Sequence, residues 1–191
     1  MRRYSNRRPL EPQPSVGDPR RRLLAAVLAF VRAARSCPGV RRIALVGSLA
    51  TDKPIPKDAD VLVTIDVSMD ISLLARFGRR LKGAGQTINL GADVFLADET
   101  GRYIGRICHY RECLPRARCR ALHCGQRQHL NDDFDIVTLD GVLIASPPID
   151  LWPRIIRRAA VPVDTEVLLV AELERDASMG DSNDAAGHDG G

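Results

Sequence analysis

Aromatic residues and long apolar runs are what this sequence has least of. Phe, Trp and Tyr make up 4% of the 191 residues, which argues against a wide aromatic platform for stacking bases. The longest apolar stretch, residues 23–31, is far shorter than the roughly 18 residues that a membrane-spanning helix needs. It follows an arginine cluster and has no clean cleavage signal, so we expect no membrane contact, no secretory leader and a cytoplasmic chain.

Lysine is also scarce, since 28 basic residues include only Lys53, Lys57 and Lys82. Arginine forks bind phosphates bidentately, although genomic base composition explains most of this bias. Basic residues gather in the first 22 positions and acidic residues in the last 20. We therefore predict a disordered basic arm over residues 1–16 and a disordered acidic tail over residues 177–191. Contact of the arm with RNA or DNA is an open alternative.

The length suits one domain, and its periodicity predicts an α/β (α+β) layered fold. Asp18 and Pro19 are typical of a helix start, and apolar residues follow at helical spacing. Further patterns predict strands over 42–46, 59–65 and 87–96, and a helix over 71–81 that ends at Gly83-Ala84-Gly85. The predicted parts are a core over 17–100, a Cys/His-rich insertion over 101–134, and C-terminal strands and helices over 135–176.

The C-terminal part contains several turn signals. Residues 135–144 predict a hairpin that turns at Asp140-Gly141. Residues 149–160 predict a short helix around Pro153, and residues 166–174 predict a final helix. Three further acids, Asp132, Asp133 and Asp135, precede the hairpin, and we interpret them as a turn with a solvated face.

Five residues in or next to the predicted strands are the sharpest chemical signal. Gly47 and Ser48 follow an apolar strand directly, Asp58 and Asp60 open the next strand, and Asp93 lies within the third. Alternation along a strand puts Asp58 and Asp60 on one side, and Asp93 joins them if the third strand lies beside the second. Three gathered carboxylates repel one another without a cation. Mg²⁺ takes oxygen ligands and retains sites for substrate phosphates, and Gly47 and Ser48 suit a phosphate.

These residues carry a resemblance to a known family. The segments are Val46-Gly47-Ser48, a nine-residue spacer, Asp58-Ala59-Asp60-Val61 and Ala92-Asp93-Val94. Their order and spacing resemble the DNA polymerase beta-like nucleotidyltransferase superfamily, over roughly residues 20–100. The small size is similar to the minimal nucleotidyltransferases. The spacer departs from the pattern with two prolines, and Ala59 replaces a larger aliphatic residue, but neither change removes a ligand.

The resemblance implies a small mixed β-sheet flanked by helices and Mg²⁺-dependent nucleotidyl transfer from an NTP. It implies that Asp58 and Asp60 bind the metal ions and the triphosphate. Asp93 would bind the catalytic metal and help to activate the acceptor hydroxyl, while Gly47 and Ser48 would hold the β and γ phosphates. The acceptor stays open among RNA, protein and small molecules. Many minimal nucleotidyltransferases also pair with a small helical partner protein.

A second signal is a cluster of cysteine and histidine. Four cysteines fall within 17 residues and three histidines accompany them: Cys108, Cys113, Cys119, Cys124, His109, His123 and His129. Zinc takes four such ligands in a tetrahedron. We predict a structural Zn²⁺ site made most simply by the four cysteines, with His123 or His129 as substitutes. No Cys-x-x-Cys pair is present, and free thiols in a loop-rich segment remain the alternative.

Two classes of function therefore follow from the sequence. The first is an enzyme, a Mg²⁺-dependent nucleotidyltransferase that releases pyrophosphate. The second is a non-catalytic module on the same fold that binds nucleic acid or a partner protein, in the manner of an antitoxin. The intact set of three acids favours the enzyme, because a binding module has no need for clustered carboxylates.

Overall fold

A mixed sheet of seven strands forms the centre of the described chain. The structure is a computed structural model and describes residues 18–110 and 127–184. The strands are β1 (Val40–Val46), β2 (Asp58–Ile65), β3 (Gly91–Asp98), β4 (Tyr103–Ile107), β5 (Leu130–Asn131), β6 (Ile149–Trp152) and β7 (Ile156–Arg157). Their order is β5-β4-β3-β2-β1-β6-β7. The pairing is antiparallel except between β2 and β3, which run parallel. The predicted mixed α+β architecture is confirmed.

Two long helices, α1 (Pro19–Ala34) and α2 (Ser72–Gln86), cover one face of this sheet. The helix start predicted at Asp18 is confirmed, because its side chain accepts a hydrogen bond from the Arg20 backbone at 3.0 Å. The buried residues of both helices share one core with every second residue of β1, β2 and β3, such as Leu45, Val61 and Val94. Burial of this apolar stripe stabilises the helices.

The opposite face of the sheet has a smaller apolar cluster. Its members are Ala44, Val46, Leu62, Phe95, Ala97 and Ile144, the last of them on the short helix α3 (Gly141–Ala145). Since side chains alternate along a strand, the residues of β2 and β3 that share this face include Asp58, Asp60 and Asp93. This face therefore carries the candidate site.

The predicted helix over 71–81 is confirmed, but its end is wrong. Gly83-Ala84-Gly85 lies inside α2, which continues to Gln86. Gly85 is buried against the backbone of Gly91, and a Cβ there would stand 2.8 Å from the Gly91 carbonyl oxygen. Glycine serves here for close packing and not for termination. As a result β3 begins at Gly91 and not at residue 87, because 87–90 forms the turn between the two elements.

Two predictions in the C-terminal part are also wrong. No hairpin forms over 135–144, because the Asp140 side chain accepts a hydrogen bond from Val142 N at 3.0 Å and caps α3 instead. Residues 149–160 are not helical, since β6 pairs with β1 and β7 pairs with β6. Ile149 and Leu151, two residues apart, both pack into the core that the helices cover, as residues of a strand do. This packing overrides the helical spacing of apolar residues in the sequence.

The final helix predicted over 166–174 is confirmed within a longer helical segment. This segment consists of α4 (Val163–Thr165), a π-helical turn (Glu166–Val170) and α5 (Ala171–Asp184). It passes residue 177, where the sequence predicts the acidic tail to begin. Among the described residues, no helix is both long enough and apolar enough to cross a membrane.

Candidate active site

The parallel pairing of β2 and β3 brings the predicted aspartates together. Asp60 lies directly opposite Asp93, and Asp58 lies opposite Gly91. Adjacent strands are about 4.8 Å apart, so Asp60 and Asp93 are neighbours on the same face. A Cβ on Gly91 would stand 3.3 Å from the Asp58 Cβ, so the absence of a side chain there leaves room for Asp58.

Asp60 is the carboxyl group that this crowding affects most. Its pKa rises from 3.8 to about 7, mainly because burial disfavours the charged form, and further because Asp58 and Asp93 repel the charge. Both causes favour either a proton or a bound cation at Asp60. The three carboxylates therefore interact electrostatically, as the sequence predicted.

Asp93 has basic neighbours on the side away from Asp60. Arg106, on β4, has its Nη1 3.4 Å from Asp93 Oδ1. The same guanidinium donates to Asp133 Oδ2 at 2.7 Å through Nη2. Arg106 therefore bridges Asp93 and Asp133, and its charge offsets part of the negative charge of the cluster.

Lys82 and His109 extend this basic side. Lys82 Nζ lies 2.7 Å from His109 Nε2, which in turn is 3.6 Å from Asp93 Oδ1. Burial lowers the pKa of Lys82, with a contribution from Arg106, although Asp93 acts in the opposite sense. Burial, followed by the charge of Lys82, also lowers the pKa of His109. Both causes favour the neutral form of the His109 ring, whose Nε2 would accept the hydrogen bond from a charged Lys82.

The Gly47–Ala50 turn packs against the aspartates from the other side. Gly47 has a φ of +68°, and a Cβ at this position would overlap Asp60 Oδ2. Only glycine allows both the backbone conformation and this close approach. Ser48 Oγ donates to the Asp58 carbonyl oxygen at 3.3 Å, which ties the turn to β2. The structure thus brings all five predicted residues together.

Arg20 is a residue that the sequence assigned to the basic cluster and not to the site. It is only 6% exposed, and its guanidinium donates to the carbonyl oxygens of Ser48 at 3.2 Å and of Leu49 and Lys53 at 3.1 Å. It also contacts the Thr165 hydroxyl at 3.1 Å and Asp164 at 2.5 Å. One side chain of α1 therefore fixes the turn that packs against Asp60.

The acids before the predicted hairpin are a second feature that sequence reasoning missed. Asp132 and Asp133 are only 3% and 5% exposed, so the prediction of a solvated face is wrong for both. The buried Asp133 carboxylate forms an ion pair with the Arg106 guanidinium. The Tyr103 hydroxyl, Arg106 Nε and Asp133 Oδ1 are buried without a hydrogen-bond partner among the described residues. The burial of Asp132 and Asp133 follows from the folded structure, and no sequence pattern indicates it.

The predicted zinc ligands are described only in part. Cys108 is half-buried and in no disulfide, and its backbone N–H donates to the His129 carbonyl oxygen at 2.8 Å. Cys113, Cys119 and Cys124 lie outside the described residues. Across residues 18–110 and 127–184, no three His, Cys, Asp or Glu side chains form a ready-made metal site.

No family model, curated protein or solved structure matches this chain. Its function therefore has to be inferred from the side chains and contacts described above.

Proposed function

We propose that this chain is a Mg²⁺-dependent enzyme of the DNA polymerase beta-like nucleotidyltransferase superfamily, of the minimal type. It transfers a nucleoside monophosphate from an NTP to an acceptor hydroxyl and releases pyrophosphate. One observation carries the proposal. Asp60 and Asp93 are direct register partners on the parallel strands β2 and β3, with Asp58 and the Gly47 turn beside them.

The residue types present suit Mg²⁺, which Asp58, Asp60 and Asp93 would hold once their side chains turn towards one ion, since the three form no ready-made metal site as the structure describes them. Carboxylate oxygens are the ligands that this ion prefers, and the pKa of Asp60 is raised mainly by burial and further by the charges of Asp58 and Asp93. When bound, Mg²⁺ supplies positive charge against the phosphate oxygens. With a pKa of about 7, Asp60 would lose its proton at neutral pH when it binds the ion.

The chain's own groups then bind and orient the substrates. The Gly47 turn would offer backbone N–H groups for the β and γ phosphates, together with the Ser48 hydroxyl once it leaves the Asp58 carbonyl oxygen. Arg20 keeps this turn in place. The acceptor oxygen forms a bond to the α-phosphorus while the bond to the bridging oxygen breaks, and pyrophosphate leaves. The proton of the hydroxyl passes to a carboxylate, for which Asp93 is the candidate. Catalysis rests on positioning and charge neutralisation.

Transfer of label from radioactive NTPs tests the proposal. The full chain is incubated with each α-labelled NTP, Mg²⁺ and either total RNA, total protein or small-molecule extract. We expect transfer to one acceptor class, and its loss in Asp60→Asn and Asp93→Asn. Asp135→Asn is the matched control, because Asp135 is exposed and lies outside the cluster. Transfer that survives in Asp60→Asn would contradict the proposal.

A non-catalytic module on the same fold is the second candidate, and one contact favours it. Arg106 forms an ion pair with Asp93. An enzyme needs this carboxylate to be available for the metal and the acceptor hydroxyl. In this case the chain binds NTP or nucleic acid, and no acceptor receives label at any Mg²⁺ concentration. Saturable NTP binding without transfer would therefore support the module.

The segment between β4 and β5 completes the proposal. We propose that Cys108, Cys113, Cys119 and Cys124 hold a structural Zn²⁺ and that this Cys/His-rich part forms a small subdomain. A small helical protein is the proposed partner, in line with the minimal nucleotidyltransferases that this sequence resembles.

A further inference from the structure

We propose that a pocket of three arginines on α2 binds the phosphodiester backbone of a single-stranded RNA acceptor. The pocket has a volume of about 600 Å³ and is lined by Ser72, Arg76, Arg79, Arg80 and His129. The proposal rests on the proposed function, because it names the substrate class that the same site would modify.

The spacing of the arginines indicates an anion site. Arg76, Arg79 and Arg80 stand at positions i, i+3 and i+4, so they share one face of α2. Like charges at this spacing destabilise a helix by a few tenths of a kcal/mol per pair. A bound polyanion removes this repulsion. Arginine also presents several N–H donors in a fork that matches phosphate oxygens.

Two of the guanidinium groups are held in position. Arg79 Nη1 donates to the carbonyl oxygens of Cys108 and Tyr110, both at 3.3 Å, which places this side chain at the end of β4. Arg80 lies over the Phe77 ring, 5.9 Å from its centroid. Less side-chain freedom is therefore lost when a ligand binds.

None of the described lining residues is an acid. Asp70 contacts the pocket residue Ser72, but its carboxylate already accepts hydrogen bonds from Ser72 N at 2.9 Å and Ser72 Oγ at 2.6 Å. The negative charge of Asp70 remains near His129, so the positive charge that suits a phosphate backbone is that of the exposed Arg76 and Arg80.

The position of the pocket identifies the acceptor rather than the NTP. Lys82 follows Arg79 by three residues on α2 and reaches Asp93 through His109. The six residue steps from Arg76 to Lys82 span about 9 Å of helix. The Gly47 turn, which suits the triphosphate, lies on the opposite side of the aspartates, because β1 and β4 flank β2 and β3. Because α2 covers the face opposite the aspartates, an RNA strand would pass around the end of the sheet, by way of Lys82 and His109, to bring its terminal hydroxyl to Asp93.

Fluorescence anisotropy of the full chain with a labelled single-stranded RNA tests the proposal. The test variant is Arg76→Ala with Arg80→Ala, at two exposed positions. The control is Arg21→Ala with Arg154→Ala, which removes the same charge from exposed positions elsewhere. We expect the test variant to bind at least about tenfold more weakly at 0.1 M salt, with a salt slope shallower by about 0.7 per lost phosphate contact. The control should bind like the parent chain.

Three outcomes overturn the proposal. The first is equal loss in the test and control variants, or no loss in either. The second is an equal loss of NTP affinity in the test variant, which would assign the pocket to the triphosphate. The third is displacement of the RNA by polyglutamate as effectively as by unlabelled RNA, which would indicate an acidic protein partner.

The test is independent of catalysis. RNA binding that depends on Arg76 and Arg80 supports the pocket even if no label is transferred, in which case the proposed function fails alone. Transfer of label to protein or to a small molecule, without RNA binding by the arginines, would instead overturn the pocket and leave the enzyme standing.

Discussion

The folded structure disfavours the charged form of Asp60. Its pKa is raised to about 7 by burial and by Asp58 and Asp93, whereas an unfolded chain releases this proton near pH 4. Between these values the folded state holds a proton that the unfolded state has lost. Stability therefore falls as the pH rises from about 4 to about 7.

Asp60→Asn should remove this pH dependence. We expect the variant to be more stable than the parent chain above pH 7 in a chelating buffer, by up to about 4 kcal/mol, and to match it near pH 4. Urea unfolding at several pH values measures the difference.

The exposed Asp135→Asn serves again as the control and should follow the parent chain. Added Mg²⁺ should stabilise the parent at pH 8 and leave Asp60→Asn unchanged. Equal stabilisation of both proteins by Mg²⁺ would remove Asp60 from the proposed metal ligands.

A comparison of alanine substitutions at Gly47 and Gly101 separates two effects: the close contact with Asp60 and the strain of a positive φ. Both have positive φ, +68° and +81°, so an alanine at either position costs about 1–2 kcal/mol. A Cβ on Gly101 meets nothing within 4 Å, whereas one on Gly47 overlaps the Asp60 carboxylate. We expect Gly47→Ala to lose NTP binding and label transfer, and Gly101→Ala to lose only stability. Thermal unfolding and transfer assays measure the two effects, and full activity in Gly47→Ala would show that the close approach has no role.

The sequence predicted the acidic residues of the site but not their basic surroundings. Asp58, Asp60 and Asp93 stand out because carboxylates are rare among apolar strand residues. Arg20 and Arg106 do not, since they are two among many arginines, and only the folded chain brings Arg20 to Ser48 and Arg106 to Asp93.

Arg20 joins three elements, α1, the Gly47–Ala50 turn and α4, through one buried guanidinium. Arg20→Met should cost about 3 kcal/mol, because it removes the hydrogen bonds of a buried guanidinium, including the bond to the Lys53 carbonyl oxygen, and leaves Asp164 without its cation. The matched control is Arg32→Ala, whose ion pairs with Asp176 and Glu172 are exposed and should contribute less than about 1 kcal/mol. Urea unfolding gives both values.

Hydrogen exchange adds a local test of Arg20. Amides of the Gly47–Ala50 turn should exchange faster in Arg20→Met, and not in Arg32→Ala. Unchanged protection of this turn in Arg20→Met would show that the guanidinium does not position it.

Periodicity predicted most of the elements of the first 100 residues and failed where backbone packing or strand pairing decides the outcome. The α1 helix has its own cap and apolar stripe, so its start is visible locally. The C-terminus of α2 depends on Gly85 against Gly91, and β6 depends on pairing with β1. Such contacts override local propensity.

The zinc prediction concerns the connection between β4 and β5. Metal analysis of the full chain should find one Zn²⁺, which Cys108→Ser should lower. Cys37→Ser is the matched control, because Cys37 is buried at the end of α1 and far along the chain from the cluster. A chain without zinc, whose folding a chelator does not change, would leave the cysteines as free thiols.

The site joins residues from widely separated parts of the chain. Asp60 and Asp93 come from the one parallel pair among the described strands, which needs α2 as its crossover. Arg106 and Asp133, from β4 and from the segment after β5, complete the surroundings of Asp93. The site therefore forms only when the central strands have all assembled, so its geometry reports on complete folding.

The two outermost strands of the described sheet, β5 and β7, have only two residues each. Edges this short expose few unpaired backbone groups and give another polypeptide little to extend. Short edges therefore disfavour aggregation by the addition of strands. A protein that associates with this one has to recognise side chains on the sheet faces or helices, because it cannot pair with the edge strands over any length.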